Sequence, residues 1–511
     1  MFGEGGSERM FMEDLDPMRD CTGRVFYDVK SSKVPRCEMA NWAVSGPGRM
    51  EELGKEVAKV DESGIGLLGS DQLLAVLQHL PMQALISFGM TCKRYREMAD
   101  TDALWALLCK REWGSRAVEA WPSAGRHRMS WKRLYRQMLL LNAAAWHRVQ
   151  HGGNVPAPRA SHSMNVVNGI ITVFGGGCDG GRHLDDSWVA AVPEYPSQGI
   201  VWQQVFAGGP SGRFGQSCIV VGNMLMLYGG INDKGTRLGD TWLCRGLMSG
   251  EGQVRPMWEL LEVAAAPPPR GAHGGCFAGD RKVVIFGGIA SDGTRLGDTW
   301  MLDLAETPLC WREIVTPISP QARSGHTLTW VGGKRIILFG GRGVDFEVMN
   351  DVWLLDLESD YPAWVELQSS EPHPGPDHPP PRAGHSATLI FGGRIFIFGG
   401  EDSKRARKGD VWVLDPSAGF QVTQNGPPCL GTYPRHSCRA NSSGNRFARR
   451  FWKKLKQFGR PPRKRSFHAA CAVDSGHVIL LFGGMVDSGI PPTASAGLGF
   501  DGELHMLQLV P

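Results

Sequence analysis

No stretch of this sequence is apolar for long enough to suggest a membrane span. The longest, around Met138–Trp146, falls far short of the roughly 18–20 residues that crossing a bilayer requires. The first twenty residues carry Glu4, Glu8, Glu13, Asp14, Asp16 and Asp20 without a cationic head or an apolar core, so no signal peptide is expected. The twelve cysteines, scattered from Cys21 to Cys471, include no Cys-x-x-Cys pair and no Cys/His cluster with zinc spacing. Buried, reduced thiols in an intracellular protein are the expectation. Also missing are a Gly-x-Ser-x-Gly elbow, a phosphate-binding Gly-Lys-Ser/Thr loop and a His-Glu-x-x-His helix; no cofactor or metal is expected. Charged residues make up only 21 % of the chain. What is abundant is glycine, 67 of 511 residues, together with 17 tryptophans and 33 prolines. That is well above the usual glycine share of roughly 7 %, and it comes with enough apolar and aromatic residues to build cores rather than disorder.

The glycines are ordered. Gly-Gly doublets preceded by an apolar run end in Phe174-Gly175-Gly176, Tyr228-Gly229-Gly230, Phe286-Gly287-Gly288, Phe339-Gly340-Gly341, Phe398-Gly399-Gly400 and Phe482-Gly483-Gly484. In the first five, an aspartate and a tryptophan follow at fixed offsets: Asp186/Trp188, Asp240/Trp242, Asp298/Trp300, Asp351/Trp353 and Asp410/Trp412. Upstream of the doublets stand Arg159/His162, Arg270/His273, Arg323/His326, Arg382/His385 and Arg465/His468, and the second unit departs with Arg213/Gln216. A further tryptophan opens the link to the next unit at Trp202, Trp258, Trp311 and Trp364. Each unit reads as about four short strands that cannot bury both faces alone, so successive units must stack around an axis.

This pattern resembles the kelch repeat over about residues 146–511, which implies a β-propeller of six blades. The sixth unit departs from it, because Asp501-Gly502-Glu503 replaces Asp-x-Trp and the sequence stops before a fourth strand. Trp146-His147-Arg148-Val149 matches Trp202-Gln203-Gln204-Val205 and is expected to supply that strand and close the ring. A residue present once per blade is spread around the axis and cannot form one asymmetric active site. The repeated Arg, His, Asp and Trp are therefore expected to hold blades together. Target recognition is expected instead from the turns after each doublet, which carry Arg182, His183, Lys234, Arg237, Arg295, Arg342, Glu347, Glu401 and Asp402.

Residues 66–113 have helical spacing and no Gly-Gly pattern, starting from Ser70 as N-cap with Leu73, Leu77 and Leu80 on one stripe. The order Leu68-Gly69-Ser70-Asp71, Leu80-Pro81, Leu85, Cys92-Lys93-Arg94-Tyr95 and Leu104-Trp105 is similar to an F-box, with Gly69 where that family usually has proline. The whole chain thus resembles plant F-box/kelch-repeat proteins: multidomain α plus all-β, with a small helical F-box ahead of a six-bladed propeller. The resemblance implies that Leu73, Leu77, Leu80, Pro81 and Leu85 dock on a Skp-type adaptor and, through it, a cullin ubiquitin ligase. Residues 114–145 read as a helical linker, with Trp131, Leu134, Met138 and Leu141 on one face. Residues 1–65 show no periodicity and are expected to be disordered; they are too short for the light-sensing flavin domain of some relatives.

An insertion at about 425–465 separates the fifth and sixth doublets. Its basic run includes Arg449, Arg450, Lys453, Lys454, Arg463, Lys464 and Arg465, and Phe447, Phe451, Leu455 and Phe458 suggest a short amphipathic helix. A solvated loop, a nuclear import signal, an acidic-partner site and a calmodulin-like target all fit it. Because the basic charge is confined to this insert, the propeller itself is not expected to bind nucleic acid. The expected function is a non-catalytic substrate receptor of an SCF-type ligase in the nucleus, the cytoplasm or both. A kelch scaffold with a vestigial F-box and a propeller enzyme are the alternatives.

Overall fold

The computed structural model describes residues 68–80, 82–113, 130–205, 208–247, 256–358, 361–420, 451–473, 476–487 and 498–510. The expectation for residues 1–65 lies outside them. Among the described residues four helices come first, α1 (Ser70–Leu77), α2 (Met82–Gly89), α3 (Lys93–Ala99) and α4 (Asp102–Trp113), and α5 (Trp131–Leu140) leads into the strands. Cross-links between helices fix the bundle: the Arg111 guanidinium donates to the carbonyls of Gln78 and Leu80. The Trp105 indole donates to the Ala99 carbonyl at 2.7 Å and packs edge-on to Tyr135. The Trp131 amide donates to Asp102 at 2.6 Å, which ties α5 to α4.

From Ala143 onward the chain builds six blades, each centred on a sheet of antiparallel strands with its first strand innermost. Blade one, for example, runs Ser163–Val167, Ile170–Phe174, Ser187–Ala191 and Gln203–Val205. The strand next to the innermost one is buried along its central apolar run in every blade, and over its full length in Val478–Phe482, because neighbouring blades cover both of its faces. In blade six, Ala469–Val473, Val478–Phe482 and Leu504–Val510 are completed by the N-terminal strand Ala143–Arg148. It pairs antiparallel with Leu504–Val510 and sets Trp146 opposite Leu507. The expected closing strand is therefore present and begins three residues earlier than its tryptophan suggests. On its other edge it pairs in parallel with Lys456–Gly459, so chain from the end of blade five stitches the seam from outside.

That stitch corrects the reading of the basic insertion. Residues 451–459 form strands, not a helix, and Trp452–Lys454 is the outer strand of blade five. Trp452 is 4 % exposed while Phe458 is 57 % exposed, so no helical apolar face exists. Trp452-Lys453-Lys454-Leu455 is another copy of Trp202-Gln203-Gln204-Val205, hidden in the sequence by the insertion that precedes it. The insertion itself therefore ends before Phe451, and Arg449 and Arg450 lie outside the described residues.

The helices are not a separate bead. One contiguous apolar cluster joins Leu77, Leu85, Trp105 and Leu108 of the bundle, through Leu134, Tyr135 and Leu141, to Ile390, Phe391 and Leu509 of the propeller. Helix α4 lies against the turn Phe391–Gly393, which links the two inner strands of blade five. The loop following Gly399-Gly400 leaves from the other end of that strand pair. The helical bundle and the loops after the doublets therefore occupy opposite faces of the ring.

Candidate functional site

The Gly-Gly doublets seat each blade on the next. Gly340 and Gly341 have φ of +63° and +105°, a region costly for residues with a Cβ. A Cβ on Gly340 would stand 2.7 Å from the carbonyl oxygen of Arg382, and the Gly341 amide donates to that same oxygen at 3.0 Å. Closer to the axis a second set of bonds runs between blades. The Gly215 amide donates to the Ser161 carbonyl, Ala272 to Gly215, Gly325 to Ala272, Gly384 to Gly325, Phe467 to Gly384 and Ser161 to Phe467. These six bonds, of 2.6–2.9 Å, form a closed circle at the start of the innermost strands.

The repeated arginines sit just outside this circle, fully buried. Arg323 is typical: its guanidinium grips both oxygens of Asp351 at 2.7 Å and also donates to the carbonyls of Gly340 and Gln321. The Trp353 indole donates to the same carboxylate at 2.9 Å. Five blades repeat this arrangement, and blade six keeps it with Arg465 and Asp501, 3.2 Å apart. Arg465 is thus a structural residue with no exposed surface, which removes it from the nuclear-targeting set. Burial favours the neutral form of Asp410, but the Arg382 guanidinium outweighs this and holds the carboxyl down at about 2. Removing one partner of such a bidentate buried pair leaves an uncompensated charge. Arg323→Met is expected to lower stability by about 3–5 kcal/mol, read as the shift in chemical-denaturation midpoint. A shift of under about 1 kcal/mol, the range typical of exposed ion pairs, would contradict this role.

Above the pairs, the hairpins after four of the doublets lean on their neighbours in one rotational sense. His183 of blade one lies 3.2 Å from Asp233 of blade two. Arg295 of blade three stacks on the Phe346 ring of blade four, 4.5 Å from its centroid. Arg342 of blade four donates to Glu401 of blade five at 3.1 Å, and Arg407 of blade five pairs with Asp487 of blade six.

The nine expected target-binding residues accordingly divide. Arg182 and Lys234 are exposed at hairpin tips, Glu347 is exposed, and His183, Arg237, Arg295 and Arg342 are half-buried around the mouth of the ring. Glu401 is corrected: it is 5 % exposed and accepts from Arg342 and Ser466, so it is an internal link and not a contact surface. Asp402 shapes its own turn by accepting the Lys404 and Ala406 amides. Phe346, Arg407 and Asp487 were not singled out by sequence; only the fold shows that these hairpins touch.

The expected adaptor residues need the same correction. Leu73 and Leu77 are each 2 % exposed and Leu85 is 1 % exposed, so they point inward and are unavailable for docking. Leu80 is half-buried, and Pro81 lies outside the described residues. Among the described residues, the exposed large apolar side chains of the bundle are instead Val76, Ile86, Met90 and Leu107. Met82, Ile86 and Met90 line a cleft of about 190 Å³ with Arg96, Trp105 and Arg136. Of the remaining basic residues, Lys453 bonds Asn142, Lys454 lies over the Trp412 ring, Arg463 pairs with Asp501 at 3.2 Å, and Lys464 is exposed.

A small helical bundle fused to one face of a closed ring whose other face bears variable hairpins defines an interaction protein with two separate surfaces. A profile described as the KLHDC2/KLHL20/DRC7 kelch-repeats domain matches residues 125–249 and 254–419. An F-box-like profile matches residues 70–111. The F-box/kelch-repeat protein At1g51550 of Arabidopsis thaliana is 43 % identical over 87 % of this chain and 92 % of its own length. Putative adagio-like protein 2 of Oryza sativa subsp. japonica is 30 % identical over 81 % of the chain, which spans 61 % of that protein. The chain belongs to the F-box/kelch-repeat family, whose members are in general adaptors rather than enzymes.

Proposed function

We propose that this chain is the substrate-recognition subunit of a Skp–cullin–F-box ubiquitin ligase and catalyses nothing itself. Residues 66–113 bind the Skp-type adaptor, residues 114–145 connect, and residues 146–511 hold a target protein. The observation that carries this reading is the unbroken apolar cluster from the helical bundle to blades five and six, on the face opposite the variable hairpins. A rigid joint of this kind sets a constant separation between adaptor and target, and orientation of a target lysine is what such a receptor contributes.

The adaptor surface in this proposal is Val76, Ile86 and Met90 rather than the buried leucines. Ile86→Glu with Met90→Glu is expected to abolish copurification of a Skp-type adaptor and cullin from cells while leaving the thermal unfolding of the chain unchanged. Retained copurification would overturn the assignment, and an absence of adaptor from the wild-type chain would instead favour a scaffold without a ligase role. For localisation we propose nucleus, cytoplasm or both, with Arg449, Arg450, Lys453, Lys454, Arg463 and Lys464 as the import segment. A reporter fused to residues 441–465 that stays cytosolic would remove the nuclear part.

A further inference from the structure

We propose that the hairpin face of blades two to four binds an acidic peptide segment of the target, with Arg237 and Arg295 as its carboxylate-binding residues and Phe346 as the apolar contact beside them. This rests on the receptor reading above and names the chemistry of what is received.

The first observation is a duplicated arginine. Residues 235–242 and 293–300 are the same eight residues, Gly-Thr-Arg-Leu-Gly-Asp-Thr-Trp, so Arg237 and Arg295 hold equivalent places on neighbouring blades. Three other cations of these hairpins are neutralised: Arg342 by Glu401, Arg407 by Asp487, Lys408 by Asp402. Among the described residues, Arg237 and Arg295 have no ion pair. Their hydrogen bonds go to backbone carbonyls, Gly235 at 2.6 Å and Val344 at 3.5 Å. The Nε of each is buried without a partner. Asp292 acts on Arg237, and Glu347 on Arg295, through space only, and the Arg342 charge stands against Arg295. Half-buried guanidiniums without a carboxylate in direct contact are incompletely compensated in the free protein and present forked donors that suit carboxylates.

The second observation is a strained aromatic. Phe346 is 65 % exposed, yet it has φ of +64°. At the same hairpin position blades two and three have Gly235 and Gly293, at +75° and +88°. A bulky residue in this region costs roughly 1–2 kcal/mol, and an exposed ring returns little of that to the fold. Such an outlier points to a role outside folding. With Arg295 stacked on it and Val344 beside it, 54 % exposed, Phe346 offers an apolar surface next to two cations. A segment that alternates acidic and apolar side chains matches that surface.

The test uses the full chain and a fluorescein-labelled octapeptide of alternating glutamate and leucine, read by fluorescence anisotropy. Wild type is expected to bind it and to bind more weakly as salt rises. Arg237→Gln with Arg295→Gln should lower the affinity about tenfold or more. Phe346→Gly, which installs the residue blades two and three already carry, should weaken binding several-fold while the melting temperature holds or rises. Absence of binding by wild type, undiminished binding by these variants, or tighter binding of decathymidylate than of the peptide would each overturn the proposal. Adaptor copurification is measured on the same proteins, so a failure of peptide binding and a failure of the receptor reading are separately visible.

Discussion

Replacing Trp146 with alanine is expected to destabilise the propeller by about 3–5 kcal/mol, the range for removing a large buried aromatic, and deleting residues 143–149 is expected to abolish cooperative folding. Trp146 is 1 % exposed and packs on Phe398 at 5.1 Å between centroids. Its indole donates to Gln457 at 2.8 Å, so one side chain touches the closing strand's own blade, blade five and the stitching strand. Without residues 143–148, Leu504–Val510 loses one of its two ladder partners and Lys456–Gly459 loses the strand it pairs with, leaving strand edges open. The six-bond circle at the axis runs through the same seam, because Phe467 of blade six donates to Gly384 of blade five and accepts from Ser161 of blade one. Calorimetry should therefore show one transition lost as a unit. Near-native melting of the deletion variant would mean that the ring closes by some other contact.

Acidification is expected to unfold the propeller well above the range where exposed carboxylates titrate. His162, His273, His326, His385 and His468 are 5–7 % exposed, and each packs edge-on to the aromatic residue that ends the preceding blade's buried strand. Burial, and then the adjacent repeat arginine, lowers His162, His273 and His385 to about 3. His326 and His468 are held well below their ordinary value by burial and by the arginine and histidines around them. A base whose folded pKa is depressed binds more protons when unfolded, so stability is complete above about pH 6.5 and falls as pH drops toward 3. At pH 5 each of the three held at about 3 costs roughly 2 kcal/mol. Those three together already reach the range of a domain's whole stability, about 5–15 kcal/mol, and His326 and His468 act in the same direction. The depressed Asp186, Asp240, Asp298 and Asp410 act in the same direction at still lower pH. Blade two supplies the control, since Gln216 holds the same place and donates to the Phe174 carbonyl at 3.2 Å. His326→Gln should move the acid midpoint down and reduce the slope of stability against pH. Denaturation midpoints that do not change between pH 7 and pH 5 would contradict the account.

Periodic features were legible in the sequence because each recurs wherever the backbone demands the same solution. The doublets, the Arg–Asp pairs, the spaced tryptophans and the closing strand all follow from a ring that repeats one unit. Features that occur once were obscured. Trp452 belongs to the repeat, but the insertion displaced it, and the basic residues around it imitated a helix by spacing that in the structure serves two strands. The leucines of the F-box showed helical periodicity, which identifies an apolar stripe without saying whether a partner or the bundle itself covers it; Leu73, Leu77 and Leu85 turn inward. Likewise the turns could be named as the variable surface, whereas the burial of Glu401 and the stacking of Arg295 on Phe346 depend on contacts between blades that no local pattern encodes.

The central claim is that two opposite faces bind two different partners, and sedimentation velocity of the purified chain with a purified Skp-type adaptor tests it most directly. The account predicts a one-to-one complex that persists when Arg237 and Arg295 are changed to glutamine and disappears when Ile86 and Met90 are changed to glutamate. No complex with the wild-type chain, or one that depends on the hairpin arginines rather than on the helical bundle, would contradict it.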